Sequence, residues 1–179
     1  MSTRSALLPG PAELRRPAEL TRPTDPTAWA PQALLDLVGA VADDPSRWRD
    51  AVRFDAGTRQ WARLPAPDGA ELWLLTWLPD QSTDLHDPGS SAAALTVVSG
   101  VLEEVRADAD GRRTTSVLTS GDGVHLAAGV VHDVGNRGTA PAVSVHAYSP
   151  PLSAMSFYEA SASGLHRVRT VATDQPEES

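Results

Sequence analysis

From Asp55 onward the chain is a succession of short apolar runs separated by Gly, Asp, Pro and Ser, with no helix-length apolar pattern among them. That texture builds an all-β sandwich or barrel, because parallel βαβ units would need amphipathic helices between the strands. Residues 71–78, 94–99, 101–106, 114–118, 130–134 and 142–148 read as strands, with Asp110-Gly111 as a turn before the fourth of them. Upstream, Leu34, Leu37, Val38 and Val41 recur on one helical face over residues 31–42, with Pro31 suited to the first turn and Asp44-Pro45-Ser46 ending it. A second short helix is expected over residues 48–54.

The ends differ from this middle. Residues 1–28 carry prolines at 9, 11, 17, 23 and 26 and read as a disordered arm, and residues 166–179 read as a flexible polar tail. One domain over residues 29–165 remains, long enough to enclose a core.

Composition narrows the chemistry. The chain has no cysteine, which excludes disulfides, thiolate metal sites and a cysteine nucleophile, so a metal would be held by His, Asp or Glu. A formal net charge of -8 disfavours nucleic acid as a partner. All fifteen basic residues are Arg, which points to a GC-rich bacterial genome. The apolar stretch Ala6-Leu7-Leu8 stops at Pro9, and no run approaches the roughly 18 apolar residues of a spanning helix. The expectation is a cytoplasmic protein with no membrane partner.

Two histidine motifs and one polar strand carry the chemistry. In Ser144-Val145-His146-Ala147-Tyr148, residues two apart share a face, so Ser144, His146 and Tyr148 point one way and need partners or a cavity. A half-exposed sheet with this face in solvent is the plain alternative. The spacing Gly121-x5-Ala127-x-Gly129-x2-His132-x3-Asn136 matches the second cupin motif, G-x5-P-x-G-x2-H-x3-N, except for alanine in place of proline. The first motif, G-x5-H-x-H-x3,4-E-x6-G, is met at His86 and Gly100, whereas Asp80, Pro88 and Ala93 replace its first glycine, second histidine and glutamate.

Together with Trp61-Ala62-Arg63 and the run Ser144 to Pro151, these residues resemble the cysteine dioxygenase (type I) family of the cupin superfamily. The resemblance implies a cupin-type double-stranded β-helix, or jelly-roll, barrel with short N-terminal helices. It implies a non-haem iron oxidoreductase that oxidises the thiol of L-cysteine, or a related small thiol, to the sulfinate with O2. Carried over by position, His86 and His132 would ligate Fe(II) and Arg63 would pair with the substrate carboxylate. Tyr148 would sit beside the metal, with His146 and Ser144 orienting it. Ala93 stands where some members have the cysteine of a thiol-tyrosine crosslink.

Pro88 supplies no ligand, which puts Fe(II) occupancy in doubt. Asp84, two residues before His86, is the candidate substitute, against its reading as a solvated loop residue. His125 is weighed as structural and His166 as a surface residue. The alternative function is a metal-poor cupin paralogue that binds a small carboxylate ligand without dioxygenase activity.

Overall fold

The computed structural model describes residues 28–172. The disordered arm expected over residues 1–28 lies, except for Ala28, outside the described residues, as does the end of the expected tail from residue 173. Helix α1 spans Pro31–Ala42, and eleven strands follow: β1 (Gln60–Leu64), β2 (Glu71–Trp77), β3 (His86–Asp87), β4 (Ala92–Ser99), β5 (Val101–Ala107), β6 (Arg113–Thr119), β7 (Gly123–Leu126), β8 (Val131–Gly135), β9 (Ala142–Ser149), β10 (Ala154–Ser161) and β11 (Gly164–Ala172). They form two antiparallel sheets, ordered β1-β2-β9-β4-β7 and β11-β10-β3-β8-β5-β6. This is the expected double-stranded β-helix.

Strands β2 and β9 are buried along their whole length because both of their faces are covered, β9 carrying Ser144 and His146 on its inner face. On the outer face, Leu72, Leu74, Val143, Val145 and Ala147 pack with Leu34, Val38 and Val41 of α1. On the inner face, Trp73, Leu75, Trp77 and Tyr148 meet Leu102, Val134, Met155 and Phe157 from the second sheet. Ser144, His146 and Tyr148 therefore face a buried interior and not solvent.

Three local features depart from the sequence reading. Residues 48–54 form no α-helix; they hold a three-residue 3-10 turn, Arg49–Ala51, which follows another at Pro45–Arg47. The supposed tail begins inside β11, a polar edge strand paired with β10 along its length. Asp80, standing at the first glycine of the motif, adopts a left-handed conformation with φ of 69°, the region in which glycine is the usual residue. Aspartate is among the few side chains that tolerate it.

At the β4–β5 corner no such substitution is open. Gly100 has φ of +82°, and a Cβ there would lie 2.7 Å from both the Pro141 carbonyl oxygen and the Ala142 methyl. The chain crosses between the two sheets through a space that only glycine fits.

Candidate metal and substrate site

Three of the five histidines converge on one cavity between the sheets. His86 on β3 is in register with His132 on β8, and the ring centroids are 4.7 Å apart. His146 enters from β9 in the facing sheet. Among the described residues the wall is completed by Arg59, Leu75, Thr83, Val134, Tyr148 and Met155. The enclosed space is about 10 Å³, room for a water molecule or an ion. An amino-acid-sized ligand enters only if the walls draw back, and Met155 is the most adaptable of them.

Hydrogen bonds settle which nitrogen of each ring is protonated. His86 Nδ1 lies 2.8 Å from the Asp84 carbonyl oxygen, an acceptor, so Nδ1 carries the proton. His132 Nδ1 lies 3.2 Å from Glu104 Oε1 and donates to that carboxylate. In both rings Nε2 is left with its lone pair, the form in which imidazole binds a metal. His146 differs. The Trp77 indole donates to Ser144 Oγ at 2.9 Å, and Ser144 Oγ lies 2.8 Å from His146 Nε2, which among the described contacts is the acceptor open to the hydroxyl proton. That leaves His146 protonated on Nδ1, with Nε2 already engaged.

Electrostatics keep the His86 and His146 rings neutral. Burial, then the adjacent His132 ring, hold His86 down to a pKa of about 3. Burial also pushes His146 well down, helped by His132 and Arg59. Glu104 is opposed by its burial, but hydrogen bonds from His132 and Arg106 outweigh that and hold its carboxyl below the usual range. It is an ionised carboxylate in the interior.

The residues anticipated from sequence separate into two groups. His86, His132, His146, Ser144 and Tyr148 are all buried together, and His86, His132, His146 and Tyr148 line the cavity. Ala93 is the direct partner of Tyr148 in the β4–β9 ladder, the position from which a cysteine would reach that ring. Arg63 is elsewhere. It is half-exposed on β1, ion-paired with Glu71 at 2.7 Å and stacked on Trp73 at 4.6 Å. The arginine on the cavity wall is Arg59, buried, donating to the Ser82 carbonyl and lying 4.8 Å over the Trp77 ring.

Asp84 turns outward, its side chain 76% exposed and 3.8 Å from Arg169, so it contributes to the site through its carbonyl on His86. His125 and His166 lie outside the cavity. Pro88 is buried at the end of β3 and is not among the cavity residues. Among the described residues no group of three or more His, Asp or Glu side chains is disposed to hold a metal. Two oriented imidazoles fit a divalent transition ion; the third protein ligand of the motif is missing. Arg59 and Glu104 were not picked out from sequence. Residues 59 and 63 have the same strand parity, so alternation could not separate them, and Gly57 ahead of Arg59 breaks the aromatic-x-Arg pattern that Trp61 imitates.

Two antiparallel sheets wound into a double-stranded β-helix, with buried histidines between them, define a cupin. The profile described as cysteine dioxygenase type I matches residues 27–161, and the chain belongs to that family. No curated protein matches the sequence. Among solved structures, the TT1209 protein from Thermus thermophilus superposes with a TM-score of 0.51 at 18% identity, over 57% of this chain and 92% of that one. An uncharacterized conserved protein with a double-stranded β-helix domain from Klebsiella pneumoniae gives 0.54 at 21% identity, over 62% and 93%. An oxalate oxidase gives 0.53 at 14% identity, over 65% and 63%. At these identities the likeness is one of fold. No helix among the described residues is long and apolar enough to cross a membrane.

Proposed function

We propose that the protein is a cytoplasmic thiol dioxygenase that converts a small thiol bearing a carboxylate, cysteine in the first instance, to its sulfinate with O2. The observation that carries this reading is the convergence of Arg59, His86, His132, His146 and Tyr148 on one buried cavity. In balance, one thiol and one O2 give one sulfinic acid, with both oxygen atoms ending on sulfur.

A non-haem iron(II) ion held by His86 and His132 would supply the thiolate- and O2-binding chemistry. The chain's own groups do the rest. Arg59 presents a planar cationic fork suited to the substrate carboxylate, and its contact with Trp77 fixes the plane. His146 is kept neutral by burial and offers an Nδ1–H donor, its orientation set by the Trp77–Ser144 relay. Tyr148 brings a phenol to the same wall, able to donate a hydrogen bond to a bound anion. With Pro88 in place of a ligand, His86 and His132 are the protein groups that would hold the ion.

The second reading, a carboxylate-binding paralogue without dioxygenase activity, draws on Pro88 alone. Oxygen uptake separates the two. Protein reconstituted anaerobically with iron(II) should consume O2 on addition of cysteine. Cysteamine, which lacks the carboxylate, should lose roughly 10- to 100-fold in kcat/KM. Arg59→Leu should remove that preference. Absence of thiol-dependent uptake at every iron loading would leave the second reading, which cysteine binding to the metal-free protein would then support.

A further inference from the structure

Glu104 plays no part in either histidine motif, yet its carboxylate bonds directly to a cavity histidine. Its side chain is 2% exposed, at an inward position of β5 beside Leu102. A buried carboxylate carries a heavy desolvation cost, and an apolar residue of similar volume would fill that space at lower cost. Packing therefore does not account for it. Both of its oxygens are committed: Oε1 accepts from His132 Nδ1 at 3.2 Å, and Oε2 accepts from Arg106 Nε at 3.0 Å. Arg106 is in turn tied to the His125 carbonyl at 3.2 Å.

We propose that Glu104, clamped by Arg106, is the positioning residue that locks His132 in the Nδ1–H form and so presents Nε2 to a metal. The inference rests on the reading of His132 as a metal ligand. In a site with three protein ligands, one mis-set imidazole leaves two. With Pro88 at the third position it leaves His86 alone, so the tautomer of His132 decides whether the site exists. A carboxylate is needed because two donors must be satisfied at once. An amide in its place has a single oxygen, and charged Arg106 is the stronger claimant for it. The amide NH2 would then face His132 and force Nδ1 to accept, which moves the ring proton to Nε2.

Glu104→Gln tests this. The tautomer of His132 is read by 15N NMR on the metal-free full-length chain, and affinity by titration with cobalt(II). Wild type should show Nδ1–H. Glu104→Gln should show Nε2–H, with cobalt(II) affinity down roughly 10- to 100-fold. Adding Arg106→Leu to Glu104→Gln frees the amide oxygen for His132, and should restore both the Nδ1–H form and most of the affinity. A purely structural role for Glu104 predicts no such rescue. An Nε2–H ring in wild type, or an unchanged tautomer in Glu104→Gln, overturns the proposal. The wild-type spectrum decides even where the variants fail to fold. Because these readouts need no turnover, the proposal can fail while thiol oxidation stands, and the reverse.

Discussion

Acid should unfold the metal-free protein through its buried imidazoles, and His86 sets the scale. Burial and the neighbouring His132 ring hold its pKa down from 6.5 to about 3. The unfolded chain takes up that proton near pH 6.5 and the folded chain resists it until about pH 3. Between those limits the unfolded state binds more protons, so stability falls as pH falls. Each pH unit inside the window costs about 1.4 kcal/mol per group, and the step from pH 7 to pH 4 removes roughly 3 kcal/mol through His86 alone. Against a total of about 5–15 kcal/mol for an ordinary domain, that is a large share. His146 is depressed for the same reason and adds in the same direction. Glu104, held below the usual carboxyl range, adds in the same direction once pH falls through its ordinary value of 4.5, and its stabilisation is gone once pH has fallen through its lower folded value. Urea unfolding of chelator-treated protein at intervals from pH 7 to pH 4 measures the slope, and His86→Gln should flatten it by about one proton. Equal slopes for wild type and His86→Gln would refute the argument, since a buried ring that titrates normally has no desolvation cost to report.

Arg63→Ala should leave turnover within about twofold and cost under about 1 kcal/mol in urea unfolding, because it deletes a half-exposed ion pair and a ring contact. Gly100→Ala should cost roughly 2–4 kcal/mol in the same assay, combining left-handed strain with a forced shift of the Pro141–Ala142 backbone. Pro88→His should tighten iron(II) or cobalt(II) binding by supplying a third imidazole, read by titration of the metal-free protein. A substitution that folds but leaves affinity unchanged would show that position 88 cannot turn a side chain into the cavity.

Much of the barrel was legible because both faces of its inner sheet are covered. The runs at 71–78 and 142–148 are β2 and β9, apolar toward α1 on one side and toward the interior on the other except where β9 turns Ser144 and His146 inward. What the pattern could not show was shorter or more polar. Strand β3 has two residues, too few for any periodicity, and it carries His86 only because β8 and β10 hold it on both sides. Strand β11 is an exposed edge whose polar sequence reads as a tail. For the site, motif spacing located His86 and His132, and strand alternation grouped Ser144, His146 and Tyr148. Arg59 and Glu104 were hidden because their partners are distant in sequence: the Ser82 carbonyl and the Trp77 ring for one, His132 for the other. Asp80 is a different case, a substituted motif glycine whose left-handed backbone no sequence pattern announces.

Thiol dioxygenation is tested most directly by the fate of oxygen. Iron(II)-loaded protein given cysteine under 18O2 should yield cysteine sulfinate carrying label at both new oxygen positions, as read by mass spectrometry. Unlabelled or singly labelled sulfinate, or no sulfinate from protein shown to hold iron, would contradict it.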